Sequence, residues 1–285
     1  MTAIISARGL TKRYGRTLAV DHIDLEIPPG RIVGLIGPNG AGKTTALKAI
    51  LGLATYDGEL SVLGKDPARQ RAALMEDVCF IADVAVLPRW IRVHQLIEIT
   101  ERLHPGFSRS RCIDYLNRTK VTPEQKVKQL SKGMVAQLHL ALVMAIDAKL
   151  LVLDEPTLGL DILYRKDFYT HLLTDYFDEE RTIVITTHQV EEVEHILTDL
   201  VFIRDGRIAL QATMDEVQER YTEVMVRPEL ADRARALKPL YERELFGRHI
   251  FLYDNVGRDQ LRELGELHTP SVADLFVGTM KGGDA

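Results

Sequence analysis

A glycine-rich run at residues 37–45 contains the residue types that most directly suggest chemistry. It reads Gly-Pro-Asn-Gly-Ala-Gly-Lys-Thr-Thr and fits the pattern G-x-x-x-x-G-K-[ST]. An apolar stretch at residues 32–36 precedes it, and residues 44–53 show a helical pattern after it. Glycines let the backbone wrap tightly and turn its N–H groups toward an anion, and the start of a helix adds partial positive charge. The run therefore predicts a phosphate-binding loop between a strand and a helix.

The side chains of this loop suit a nucleotide triphosphate with its metal ion. Lys43 can supply a cation to the β- and γ-phosphates of ATP, and Thr44 can offer its hydroxyl to Mg²⁺. A chance glycine-rich turn would match the four fixed positions in about one chain in a hundred of this length, and the strand and helix around it make chance rarer still. The residues predicted to contact ATP here are Asn39, Gly40, Ala41, Gly42, Lys43, Thr44 and Thr45.

Two adjacent acids follow a second apolar run. Residues 150–153 read Leu-Leu-Val-Leu and lead into Asp154, Glu155 and Pro156. A strand in an open α/β sheet delivers such residues to its carboxyl end, where ligands bind. Neighbouring strand residues point to opposite sides, so the two acids have different roles. Asp154 suits coordination of Mg²⁺ and Glu155 suits polarising an attacking water. Alone, the pair would equally fit a solvated acidic turn.

The elements that must position these groups follow an alternating strand and helix pattern. Short apolar runs predict buried strands at residues 32–36, 78–81, 150–153 and 183–185. Residues 93–148 read as mostly helical, with breaks near Pro105-Gly106 and Thr122-Pro123. This order predicts an α/β fold whose strands are joined by crossover helices.

The sequence changes character near residue 220. The tail, residues 221–285, predicts a strand at 223–226, a charged helix at 229–237, a strand at 249–253 and a helix from Ser271. We therefore expect a nucleotide-binding domain at residues 1–220 and a small α+β appendage at residues 221–285.

The composition is that of an ordinary globular protein. Of 285 residues, 46% are hydrophobic and 27% are charged, and the net charge of −5 does not favour nucleic acid as a partner. No secretory signal and no run of ~20 apolar residues are evident, so work at a membrane would require docking onto another chain. Cys79 and Cys112 lack CxxC spacing and are interpreted as reduced thiols.

The order of the motifs resembles that of ABC-type ATPase subunits over nearly all of residues 1–220. Tyr14 matches the aromatic that stacks on adenine in that family, and Ser131 and Gly133 in Leu-Ser-Lys-Gly-Met resemble its signature sequence. Residues 158–161 resemble the loop that crosses its dimer interface, and His188 matches the switch histidine that senses the γ-phosphate. The resemblance implies a P-loop NTPase core with an antiparallel β subdomain and a helical subdomain at about residues 84–148.

The resemblance also implies partners. Ser131 and Gly133 of one subunit would close over the γ-phosphate held by a second copy, although Ser131 also fits an ordinary helix cap. An integral membrane permease would be driven by the pair from the cytoplasmic face of the membrane. The tail motif at residues 269–277 is similar to the end of small bacterial export ATPases, and this favours export.

Several positions depart from the family pattern. Lys132 and Met134 stand where Gly and Gln are usual, and Gln137 stands where Arg is usual. The loop after residues 78–81 places Ala82 and Asp83 where the family has a Gln, so Asp83 is expected beside Mg²⁺.

Two alternatives to transport follow from the same resemblance. Soluble ABC ATPases of translation or DNA repair usually carry two ATP domains or a long coiled-coil insertion, whereas this chain has one such domain and about 50 residues between Asp83 and Leu130. A degenerate nucleotide-binding regulator is disfavoured because Glu155 and His188 are both present.

Overall fold

The computed structural model describes residues 2–81, 87–158 and 162–281, with the backbone alone at Tyr164. In these ranges the strands are β1 (Ile5–Tyr14), β2 (Thr17–Ile27), β3 (Ile32–Ile36), β4 (Asp57–Val62), β5 (Val78–Ile81), β6 (Leu150–Asp154), β7 (Thr182–Thr187), β8 (Asp199–Arg204), β9 (Arg207–Thr213), β10 (Tyr221–Val226), β11 (Tyr241–Leu245), β12 (Arg248–Asp254) and β13 (Gly265–His268). The α-helices are α1 (Lys43–Ile50), α2 (Arg71–Leu74), α3 (Val93–Leu103), α4 (Arg109–Leu116), α5 (Lys132–Met144), α6 (Ile162–His171), α7 (Val190–Val193), α8 (Met214–Arg220), α9 (Ala231–Arg235), α10 (Arg258–Arg262) and α11 (Val272–Lys281). Short 3₁₀ turns lie at Val127–Gln129, Glu194–Ile196 and Pro228–Leu230, and a π-helical turn at Leu172–Tyr176.

A six-stranded sheet forms the centre of the molecule, in the order β5-β6-β7-β3-β8-β9. Its strands pair in parallel except for β8 and β9. Every residue of β3, β6 and β7 is buried, which explains the apolar runs at 32–36, 150–153 and 183–185 within them, since helices or a second sheet cover both faces of a parallel sheet. The four strands predicted from the apolar runs are confirmed.

An antiparallel sheet, β2-β1-β4, lies against one face of the central sheet. Its inward side chains, among them Ile5 and Leu10, share one apolar cluster with Leu47 and Ile50 of α1 and with Val33 of β3. Helix α1 is therefore held between the two sheets, and the residues that start it are fixed from both sides.

A helical region made of α3, α4 and α5 has an apolar cluster of its own, which includes Val93, Cys112 and Leu138. The predicted breaks are found, since α3 ends at Leu103, and residues 122–123 lie between α4 and α5. Cys79 and Cys112 are both buried free thiols, and burial raises the pKa of each to about 12. None of the helices in the described ranges is long and apolar enough to cross a bilayer.

The tail forms a four-stranded antiparallel sheet, β11-β12-β10-β13, covered on one face by α9 and α10. The predicted strands at 223–226 and 249–253 are confirmed as parts of β10 and β12. The helix predicted at 229–237 is shorter, because a 3₁₀ turn at Pro228–Leu230 precedes α9. The short elements β11, α10 and β13 had not been predicted.

Helix α11 packs on the central sheet as well as on the tail sheet. Val272 and Leu275 are fully buried in the same cluster as residues of β8, and the ring of Phe276 lies 5.2 Å from that of Phe202 in an edge-to-face arrangement. On the other side, a Cβ at Gly278 would lie 2.5 Å from Leu252 Cδ2 of β12. Although β10 begins at the predicted boundary, α11 joins the two parts, and the division at residue 220 stays a prediction.

Candidate active site

The register of three neighbouring strands brings the predicted site residues to one edge of the central sheet. Asp154 of β6 pairs with Thr186 of β7, and Thr186 pairs with Leu35 of β3. The three strands are parallel, so the segments that follow them leave the sheet side by side. The glycine-rich loop, Glu155 and His188 therefore converge there.

The loop wraps around the side chain of Lys43. Gly40 and Gly42 have φ values of 84° and 107°, in the left-handed region that glycine tolerates. A Cβ at Gly42 would lie 2.3 Å from the backbone oxygen of Ala19, so only glycine fits. Lys43 Nζ donates to the carbonyl oxygens of Gly37 at 2.7 Å and Pro38 at 3.3 Å, and only 7% of the residue is exposed. The cation is thus fixed inside the loop.

The charge of Lys43 depends on the two acids. Burial lowers the pKa of Lys43, and the negative charges of Glu155 and Asp154 oppose that shift. A phosphate entering the loop would add further negative charge beside the ammonium group. The site is therefore prepared for an anion, because it already holds a desolvated cation.

Oxygen donors suited to Mg²⁺ meet beside the loop. Thr44 Oγ1 lies within 3.4 Å of Asp154 Oδ1, and Thr186 Oγ1 donates to the same carboxylate oxygen at 2.5 Å. Asp154 is buried while Thr44 is exposed. Mg²⁺ is usually held in proteins by one or two carboxylates, hydroxyls and substrate phosphates, so this donor set fits the ion. Thr186 fixes the orientation of the carboxylate.

Glu155 turns out of β6 toward His188. Its φ of 50° is in the left-handed region, which is uncommon for a residue with a side chain, and its N–H donates to Thr186 O at 3.1 Å. Glu155 Oε1 lies 2.9 Å from His188 Nδ1. The hydrogen bond requires a proton on Nδ1, so neutral His188 presents Nε2 as an acceptor and the imidazolium presents it as a donor. The pair can accept a proton and contact a phosphate oxygen.

The sequence of the chain is similar to those of known proteins. The sequence pattern of the family described as "ABC transporter" matches residues 20–158. The Nod factor export ATP-binding protein I of Cupriavidus metallidurans is 32% identical over 269 residues, which cover 89% of this chain and 87% of that protein. The chain belongs to the family of ABC transporter ATP-binding proteins. Members of this family hydrolyse ATP, and the chain is an ATPase.

A further relative and a solved structure are also similar to this ABC ATPase. The bacitracin transport ATP-binding protein BcrA of Enterococcus faecalis is 31% identical over 229 residues, covering 78% of this chain and 74% of that protein. A solved structure of an ATP-binding subunit of an ABC transporter superposes with a TM-score of 0.68 at 22% identity, over 76% of this chain and 92% of that one. That likeness confirms the predicted fold.

Lys43, Thr44, Asp154, Glu155, Thr186 and His188 form what we call the strand-end cluster. Among the described residues, no hydrogen bond or ion pair joins this cluster to Tyr14, Ser131 or Gly133, which were also predicted to contact ATP. Tyr14 is half exposed, with Lys12 Nζ 4.9 Å from its ring centroid. Ser131 is exposed, and its Oγ accepts a hydrogen bond from Met134 N at 3.2 Å as the cap of α5. Asp83 and residues 159–161 lie outside the described residues.

Sequence reasoning missed the role of Thr186 and the polar groups behind Glu155. Thr186 is fully buried and directly follows the apolar run at residues 183–185, where a hydroxyl needs a partner. That position was the available signal. No comparable sequence signal marked the polar groups of Thr157, Arg165 and Glu192, because their contacts join segments up to 35 residues apart.

Proposed function

We propose that this ABC ATPase binds ATP with Mg²⁺ at the strand-end cluster and hydrolyses it as one of two identical subunits that drive a membrane permease. The observation that carries the proposal is the convergence of Lys43, Thr44, Asp154, Glu155 and His188 at the carboxyl ends of β3, β6 and β7. These groups supply a cation, two metal ligands, a base and a phosphate contact at one place.

Each residue has one task in this mechanism. The loop N–H groups and Lys43 bind the β- and γ-phosphates, with Asn39, Gly40, Ala41, Gly42 and Thr45 forming the rest of the cradle. Thr44 and Asp154 would hold Mg²⁺, which would supply charge neutralisation at the phosphates. Glu155 accepts the proton of the attacking water, and His188 holds the Glu155 carboxylate and contacts the γ-phosphate.

The position of Ser131 supports a composite site. Ser131 and Gly133 stand at the exposed start of α5, a helix of 13 residues, and among the described residues no hydrogen bond or ion pair links them to the cluster of their own chain. A helix N-terminus and a serine hydroxyl form an anion site, and the γ-phosphate of a second copy would complete it. Tyr14, with half of its surface open, is placed to stack on an adenine ring.

Docking to a permease is supported by apolar side chains on the surface of the helical region. Trp90 is 72% exposed just before α3, and Leu103 is 78% exposed on that helix. Ile99 and Leu103 are four residues apart, so they share one face of α3. Exposed apolar side chains of this size commonly mark a protein interface. The export named for the Nod factor relative favours export by this chain, from the cytoplasmic face of a membrane.

Mixing two inactive variants tests the composite site. Lys43→Ala removes the phosphate cation and Ser131→Arg blocks the signature contact, so each variant alone should lose ATPase activity. A dimer containing one copy of each keeps one intact site. An equal mixture should therefore regain up to about a quarter of the wild-type rate, because half of the dimers are mixed.

Lys48 is an exposed lysine on α1, the helix that begins with Lys43, and it provides the control. The variant Lys48→Ala should hydrolyse ATP like the wild type. The rate per subunit of the wild type should also fall on dilution. A flat rate per subunit, together with no recovery on mixing, would show that each copy works alone.

A further inference from the structure

A polar network lies directly behind Glu155 and His188. Arg165 of α6 forms an ion pair with Glu192 of α7 through Nη1 and Oε1, and the same Nη1 donates to Gln189 Oε1 at 2.9 Å. Thr157 Oγ1 donates to the other carboxylate oxygen of Glu192 at 3.2 Å. Tyr169 OH lies 3.2 Å from Thr157 Oγ1. One carboxylate thus receives groups from two separate segments of the chain.

The network is largely withdrawn from water. About three quarters of the Arg165 and Glu192 side chains are buried, and Thr157 and Tyr169 are almost fully buried. At such sites an ion pair is screened much less than on a surface, and removing one partner leaves the other charge unpaired. The guanidinium is also a planar, rigid donor, so it holds its acceptors in fixed positions.

The two ends of the network adjoin the two members of the catalytic pair. Thr157 is two residues after Glu155, and Gln189 is the residue after His188. Burial raises the pKa of Tyr169 to about 12, and the negative charge of Glu155 adds to that shift, which places the network within electrostatic reach of Glu155. The chain segments that carry Glu155 and His188, which lie 2.9 Å apart, are therefore both held by the same polar network.

We propose that Arg165 is a positioning residue for ATP hydrolysis, which holds Gln189 and Glu192 so that His188 meets Glu155. The proposal rests on the roles given above to Glu155 and His188. In the part of the chain that the structure describes, the hydrogen bonds of Arg165 to Gln189 and Glu192 do not involve the phosphate loop or the metal ligands. A misplacement of about 1 Å in catalytic geometry can cost 10²-fold in rate, so a loss of the network should lower kcat and leave ATP affinity unchanged.

The test compares substitutions of two neighbouring cations on α6. Arg165→Met should lower kcat by about 10- to 100-fold with the KM for ATP within about twofold of wild type. Arg165→Lys should recover part of kcat, because an ammonium group can pair with Glu192, but the shorter and more flexible lysine side chain holds Gln189 less firmly than the planar guanidinium does. Lys166→Met removes an exposed charge from the same helix and should match the wild type.

Repeating the Arg165 substitution in a variant that lacks the His188 side chain distinguishes a positioning role from a general loss of structure. In His188→Ala, Arg165→Met should reduce kcat no further, because the group it positions is gone. Full multiplication of the two losses, or a rise in KM with unchanged kcat, would overturn the proposal. Should His188→Ala alone keep the wild-type rate, the assigned role of His188 fails instead.

Gln189→Ala keeps the test valid even if Arg165→Met does not fold. It removes the acceptor beside His188 and leaves the ion pair of Arg165 with Glu192 in place. We expect a lower kcat at unchanged KM and an unchanged melting temperature. A wild-type kcat for Gln189→Ala, measured on the folded protein, would refute the link between Arg165 and His188.

Discussion

Replacement of Glu155 by glutamine isolates the catalytic base. The amide has the same length and can keep a hydrogen bond to His188, so the 2.9 Å contact does not have to rearrange. Lys43, Thr44 and Asp154 keep their own partners. What is lost is the ability to take a proton from water, which contributes typically 10²- to 10⁴-fold in rate. The barrier to hydrolysis should therefore rise by about 2.7–5.4 kcal/mol.

The assay measures phosphate release and ATP binding on the same preparations. Glu155→Gln should release phosphate 10²- to 10⁴-fold more slowly while binding ATP at least as tightly as the wild type, and it should accumulate as an ATP-bound dimer in size-exclusion chromatography. Glu191→Gln removes an equal charge from an exposed position on α7 and serves as the control. A Glu155→Gln protein that releases phosphate at the wild-type rate would falsify the assignment of Glu155 as the base.

Three further predictions concern packing and access. Leu275→Ala should lower the free energy of unfolding by about 2–5 kcal/mol in urea melts, whereas Leu103→Ala, at an exposed site, should change it by less than about 0.5 kcal/mol; equal effects would contradict the packing of α11 on the core. Gly42→Ala should lower the free energy of unfolding by at least about 1–2 kcal/mol, the cost of left-handed φ alone, and should weaken nucleotide binding, because the new Cβ would also clash with the Ala19 carbonyl oxygen of β2; calorimetry that shows wild-type affinity would disprove this. Cys79 and Cys112 should resist a thiol reagent at pH 8 until the protein unfolds, and rapid labelling of the native protein would contradict their burial.

The central sheet and the identity of the site residues could be predicted because both depend on local sequence. The strands β3, β6 and β7 each contain a short apolar run, and each run is followed closely by the residues that carry chemistry. A parallel sheet brings the ends of its strands to one edge, so the convergence of Lys43, Asp154 and His188 followed from topology alone.

The network of Arg165 could not be predicted, because nothing local selects its partners. An arginine on a helix usually faces solvent, and only the packing of α6 against α7 brings it to Gln189 and Glu192. The tail was difficult for a different reason. β11, α10 and β13 are four or five residues long and lack a clear apolar period, so hydrogen bonds and packing across the sheet decide their structure.

The place of α11 has a consequence for how the chain folds as it is synthesised. The central sheet is fully translated once β9 has been made, yet Val272 and Leu275, which fill its apolar cluster, come about 60 residues later. At ribosomal speeds of ~5–20 residues per second, the nascent core keeps an uncovered apolar surface for roughly 3–12 s. A chaperone that binds exposed apolar chain has its opportunity in that interval, and the ATPase core completes its folding only together with the tail.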